Sequence, residues 1–496
     1  MFWRIILAVS TRNRRAFAYF LGAVIPVKLA VLYLIGPTIW PDTAGYIAFA
    51  EAILDRAKAF RPIDWIGGPP APLFVFRLPG YPLVLAGAEL LSAENYASIT
   101  VIFQIFLNVV AFILVFKVVA HLGFSIGQIM AVLVLYVFSD SLLFDNSILS
   151  DSIYSSLFNI VMFSLIGHAI GCWRLTLLGG LGLGFLWGFS TWTRDSGIYF
   201  TYVPALLILA GSRASAGGFA RRLSLLCAFL IVVVGMTGAY VALNKYRTGE
   251  YFFSITGVAN WLHPVFAMAK YGYAWPFDGD DPVSEMAREG LPDYEYPTQL
   301  AFIQKLHSRC KCTPTELQSL LFSKFLATIA HHPFAYLRMV WRNFHYLGLA
   351  ALLADPVATI NQFFEFATPI QYKLMPGLSI RNLLALQQHF SLGRLLLMIL
   401  NLLSTAVAAI LFSLFVVGTP YLVARAWQRG EPIPPALAIV AFLWFTFLSV
   451  SVAFSLVHYE ARHALPIFPA GCIGVVYTFS AARRWLGRPE ARSAPA

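Results

Sequence analysis

The residues able to do chemistry in this chain fall in a few short segments. Asp42 lies in Pro41-Asp-Thr-Ala-Gly-Tyr46, and Arg77 opens Arg77-Leu-Pro-Gly-Tyr-Pro82. Asp145 and Asp151 bound Asp145-Asn-Ser-Ile-Leu-Ser-Asp151, and Arg194 and Asp195 share Thr193-Arg-Asp-Ser-Gly197. His458, Glu460, Arg462 and His463 cluster near the C-terminus. A carboxylate can accept a proton from a hydroxyl nucleophile or ligate a divalent cation. Arginine matches phosphate oxygens with a planar fork of donors. Together these types suit a substrate that carries a phosphate.

Each residue also has a plainer reading. Asp42 could cap a helix beginning near Thr43, and Asp151, between Ser150 and Ser152, could cap another. Arg77 and Arg194 could extend their charges to a membrane interface, and Arg194 could pair with Asp195. His458, Glu460 and His463 resemble a scrambled zinc motif. Histidines five apart point to different helix faces, however, so one helix would not offer both to one metal. The chain has no Walker-type loop, dinucleotide fingerprint or serine-hydrolase elbow.

The elements that must position these groups are membrane helices. The 496 residues are 59% hydrophobic and only 12% charged, with a mean hydropathy of +0.71. A soluble domain carries about 25% charged residues. The apolar residues gather in runs, and roughly 20 such residues cross a bilayer. A pI near 9.4 could suggest nucleic acid, but 42 Phe and repeated Leu/Val/Ile blocks point instead to membrane lipid and no nucleic acid. Five Cys form no disulfide framework; Cys172, Cys227 and Cys472 read as packing residues. The close pair Cys310 and Cys312 could be a bridge or two thiols.

Phe2, Ile5, Ile6 and Val9 share one face of a short interfacial helix ahead of Arg12, Arg14 and Arg15. A first span near 16–35 leads to a polar loop over 36–91, which holds a surface helix over 46–59. Further spans are expected near 96–120, 126–143, 148–170, 174–192, 196–211 and 222–244. The more polar region 245–390 forms an excursion, with a re-entrant or interfacial helix near Phe344–Leu353. Final spans are expected near 392–423, 434–457 and 464–481. The Arg-rich pieces 213–222, 425–429 and 483–488 are short and would lie in the cytoplasm with both termini. All the segments named above then meet at the outer face. The chain divides into an N-terminal catalytic module, 1–244, the region 245–390, and C-terminal helices with a tail, 391–496.

Taken in order, Asp42 with Tyr46, Arg77-Leu-Pro-Gly-Tyr-Pro82, Ser150-Asp-Ser152, Thr193-Arg194 and Arg462-His-Ala-Leu-Pro-Ile-Phe-Pro469 resemble segments of the GT-C glycosyltransferases. The likeness is to the bacterial branch similar to protein mannosyltransferases and lipid A aminoarabinose transferases. It covers the first 245 residues and the last three spans. It implies an all-α polytopic bundle of about 10–13 transmembrane helices in the bacterial inner membrane, with its site facing the periplasm.

The implied reaction moves a sugar from a polyprenyl-phosphate donor to a lipid, glycan or protein hydroxyl, with inversion. Asp42 would be the base or acceptor-orienting group, with Asp151 as second catalytic carboxylate. Arg77, Arg194 and Arg462 would bind the donor phosphate. Tyr46, Tyr81, His458, Glu460 and His463 would contact substrate, and Asp42 with Asp151 could hold Mg²⁺ or Mn²⁺. Two positions depart from the family pattern: Thr43 follows Asp42 where a second acidic residue is common, and His463 follows Arg462 where Tyr is usual. Two rivals are a flippase for lipid-linked sugars and a non-catalytic assembly protein. The near absence of charges at span centres and of internal repeats disfavours the flippase.

Overall fold

A computed structural model describes residues 11–40, 42–55, 61–63, 77–137, 144–211, 218–290, 296–344, 410–411, 413–457 and 461–486. The expected helices at residues 2–9 and 345–353 lie outside them, as do His458 and Glu460. Among the described residues the chain is helical, without strands and with one isolated β-bridge, Thr38 to Ser147.

The N-terminal half contains α1 (Thr11–Ile35), α2 (Thr43–Leu54), α3 (Gly80–Leu91), α4 (Tyr96–His121) and α5 (Ile126–Val137). It continues with α6 (Ser150–Ala169), α7 (Leu177–Thr193), α8 (Ser196–Tyr199), α9 (Tyr202–Ala210) and α10 (Phe219–Thr248). Next come α11 (Thr256–Lys270), α12 (Pro282–Glu289), α13 (Tyr296–Cys310), α14 (Pro314–His331) and α15 (Pro333–Arg342). Helical residues 413–428 form α16, followed by α17 (Pro435–Val457) and α18 (Phe468–Leu486), with a 3₁₀ helix, Ala461–Ile467, between the last two.

Six helical segments among the described residues are long and apolar enough to cross a membrane, spanning Phe17–Leu34, Tyr96–His121, Ser150–Ala169, Phe219–Thr248, Pro435–Val457 and Arg462–Arg484. The expected span at 196–211 is broken after Tyr199 into α8 and α9, and α5 and α7 are short. Helix α6 is the centre of the bundle, with nearly every residue buried against α4, α7, α9 and the 3₁₀ helix. Helix α10 leaves Ile231 and Val234 more than 60% exposed, which suits contact with lipid acyl chains rather than water.

Close approach between α7 and α10 is built from small residues. A Cβ on Gly180 would lie 2.6 Å from Leu225, one on Gly184 2.5 Å from the Phe229 carbonyl, and one on Gly188 2.6 Å from Met236. Spaced four apart, the three glycines form one helix face that lets α7 and α10 approach closely.

The region after α10 has its own core, with Phe266, Phe277, Leu306, Leu317 and Met339 buried together. Its helices start at defined caps. Asp281 caps α12 by accepting from the Ser284 backbone, and Thr313 with Glu316 forms a capping box on α14. Burial pushes the Asp281 carboxyl up, but hydrogen bonds from Lys324 and Ser284 outweigh this and hold it below its ordinary value. Cys310 and Cys312 are joined as a disulfide.

Candidate active site

The loop entering α2 and the turn entering α6 are sewn together. Thr38 accepts from the Ile148 backbone at 2.9 Å and donates its own amide to the Asn146 carbonyl. The Thr43 hydroxyl donates to the Ile148 carbonyl at 2.8 Å, and the Tyr46 and Ser150 hydroxyls are 2.9 Å apart. These bonds bring the first residues of α2 and α6, and so Asp42 and Asp151, to one end of the bundle.

Neither carboxylate serves as a helix cap. Asp42 makes no side-chain cap bond to α2, and Leu149, not Asp151, stands at the N-cap of α6. The carboxylates face arginines. Arg77 donates to one oxygen of Asp42 at 3.0 Å and Arg462 to the other at 2.9 Å. The same Arg462 nitrogen lies 3.8 Å from Asp151, which also pairs with Arg194. Asp42 and Asp151 are 6% and 2% exposed, so both carboxylates are paired out of bulk water. Asp151 in the first turn of α6 is also favoured by the helix dipole.

Each arginine is held by its own surroundings. Arg77 stacks over the Tyr46 ring at 4.7 Å, and its carbonyl accepts from the Tyr240 hydroxyl at 3.1 Å. Gly80 opens α3 directly against the end of α7, where a Cβ would fall 2.6 Å from the Trp192 carbonyl carbon. That contact sets the Arg77 segment beside Arg194, the residue that ends α7. Arg462 and His463 come from the 3₁₀ helix, and the His463 ring stacks on Phe454 at 4.5 Å.

The cluster forms one wall of a cavity of about 470 Å³. Asp42, Tyr46, Arg77, Asp151, Arg194, Arg462 and His463 all line it. Tyr81 does not: it is fully buried, and its hydroxyl donates to Gln104 at 3.1 Å. Gln104 in turn donates to the Asp145 and Ser147 carbonyls, so Tyr81 supports the turn that carries Asp151 rather than facing the cavity. Asp145 likewise turns inward, pairing with Lys28 of α1 and the Ser152 hydroxyl. Arg194 pairs with Asp151 rather than with its neighbour Asp195, which accepts from Ser254 at 3.2 Å. Asp195 is half-buried at the cavity wall, and burial raises its pKa despite opposing effects of Arg194 and Ser254.

The opposite wall comes from the region that held no legible motif. Asn260, Trp261 and His263 of α11, Phe325 and Ile329 of α14, and Tyr336 of α15 complete the cavity. The sequence signal was faint: a histidine in the apolar run Trp261-Leu-His-Pro264. Lys28, deep in the apolar run of α1, was the better clue to Asp145, because a charge there requires a partner. No family model matches this chain, and no curated protein or solved structure matches it either.

A divalent cation would compete with the arginines for the same carboxylate oxygens. Each oxygen of Asp42 accepts from an arginine, and Asp151 lies between Arg194 and Arg462. A cation between the carboxylates would have to displace Arg462. Among the described residues there is no group of three or more His, Cys, Asp or Glu side chains placed to hold a metal. In this arrangement the residues suit an anion-and-arginine lattice better than a metal site.

Proposed function

We propose that this protein is a membrane glycosyltransferase, which moves a sugar from a polyprenyl-phosphate donor to a lipid, glycan or protein hydroxyl at the periplasmic face. The observation that carries the reading is the cavity wall of two buried carboxylates and three arginines at one end of an apolar bundle. In the reaction, the acceptor oxygen attacks the anomeric carbon and the bond from that carbon to the phosphate oxygen breaks. The phosphate departs with the bonding electrons, and its charge is met by Arg77, Arg194 and Arg462. The acceptor proton passes to a carboxylate. Asp42, with both oxygens in arginine contacts, is better suited to orient the hydroxyl. Asp195, with its raised pKa, is the better proton acceptor. A phosphate is a good leaving group, so no strong general acid is required. His463 and Tyr46 then contact the sugar or acceptor.

A second reading, a structural lattice without transfer chemistry, is favoured by one observation: all three arginines are engaged by carboxylates in the cavity. The experiment that separates the two is transfer of radiolabelled sugar, using purified protein in nanodiscs, a panel of polyprenyl-phosphate sugars and total membrane lipid and glycan as acceptors. Transfer from at least one donor is expected. A folded protein that transfers from none would leave the lattice reading.

A further inference from the structure

A second cavity, a groove of about 720 Å³, lies outside the carboxylate–arginine cluster. One wall is a face of α14 that presents Ser323, Lys324, Ala327, Thr328 and His331; the other is the segment from Trp275 to Asp281. That segment is fixed in place. Arg288 donates to the Phe277 carbonyl at 2.7 Å and the Gly279 carbonyl at 2.8 Å, and Lys324 bridges to Asp281 at 2.8 Å. Trp275 packs edge-to-face on Phe277 at 5.3 Å and keeps 45% of its surface exposed. The groove thus presents an indole, the exposed Asp278 carboxylate, a serine hydroxyl and a histidine on an ordered frame.

The charge pattern narrows the ligand. Lys324 is held by Asp281 and Ser284, and Asp278 stands beside the pair, so the groove offers an anion little. A pyranose has an apolar C–H face that can lie on an indole and a rim of hydroxyls that carboxylates, hydroxyls and imidazoles can bond. We infer that the groove between Trp275–Asp281 and α14 is a binding site for a neutral saccharide, distinct from the transfer cavity. Helix α14 is the shared partition, since Phe325 and Ile329 face the transfer cavity. A helix is about 10–12 Å across, which sets the separation between a glycan in the groove and the near wall of the transfer cavity. On the proposed transferase reading, which this inference extends, the groove would hold the acceptor glycan.

The test is retention of the full-length protein, in nanodiscs, on an array of neutral, acidic and amino oligosaccharides. Binding to neutral oligosaccharides over acidic ones is expected. It should weaken at least tenfold in Trp275→Ala and several-fold in Asp278→Asn, whose exposed side chain makes the substitution safe for folding. Asp42→Asn should bind glycans as the wild type does even if transfer is lost, which separates this inference from the transfer chemistry. Retention on no neutral oligosaccharide, preference for acidic ones, or binding unchanged in both groove variants would overturn it.

Discussion

Arg462 reaches both site carboxylates, and its replacement by methionine gives a quantitative test of the cluster. In the wild type it donates to Asp42 at 2.9 Å and lies 3.8 Å from Asp151, with its own side chain only 15% exposed. Removing one partner from a buried ion pair costs about 3–5 kcal/mol. Here Asp42 keeps Arg77 and Asp151 keeps Arg194, so Arg462→Met is expected near the lower end, about 3 kcal/mol. The compensating change Asp42→Asn removes one of the two stranded charges. The double variant should therefore be more stable than the sum of the single effects predicts, by about 1–2 kcal/mol. Equilibrium unfolding in mixed detergent–SDS micelles, followed by circular dichroism, measures all four corners of the cycle. Effects that add to within about 0.5 kcal/mol would mean the residues are uncoupled and would refute the bridged cluster.

Two further outcomes are expected. Asp281 has a folded-state pKa below its unfolded value, so its contribution to stability is present above about pH 4 and is lost as pH falls through the folded value. Between pH 6 and 2.5 the thermal midpoint of the wild type should fall more steeply than that of Asp281→Asn, which starts lower; parallel curves would remove the Lys324 clamp from the account. Gly80→Ala would place a methyl 2.6 Å from backbone at Trp192 and should destabilise by roughly 1–3 kcal/mol, because backbone cannot swing aside as a side chain can. Its effect on transfer should exceed that of Gly87→Ala, where nothing lies within 4 Å, and equal effects would contradict the close-packing argument.

The transmembrane character was legible because apolar runs report themselves through length alone. The expected first span at 16–35 appears as Thr11–Ile35, and that at 434–457 as Pro435–Val457. Helix ends were less legible: α10 runs on to Thr248, since Lys245 and Arg247 tolerate its polar end, and α2 begins at Thr43, ahead of the surface helix expected from residue 46. In the cluster, Asp42, Arg77, Asp151, Arg194 and Arg462 were recognisable as charges at the ends of apolar runs. Their pairings were not recognisable, because Arg194–Asp151 and Arg462–Asp42 join segments far apart in sequence. Tyr81 shows the limit of motif reading: it lies beside Gly80 yet faces the core, a direction fixed by Gln104 on a different helix. The places of His263 and Tyr336 in the cavity lining are not legible in the sequence, because they depend wholly on how the region after α10 folds against the bundle.

The measurement closest to the central claim compares wild type with Asp42→Asn for sugar transfer and, separately, for binding of the polyprenyl-phosphate donor. On the proposed reading Asp42 orients the acceptor, so transfer should fall at least a hundredfold, about 2.7 kcal/mol in the barrier, while donor binding holds within a few-fold. Transfer at the wild-type rate by a correctly folded Asp42→Asn protein would contradict the account and leave the carboxylates and arginines as a structural lattice.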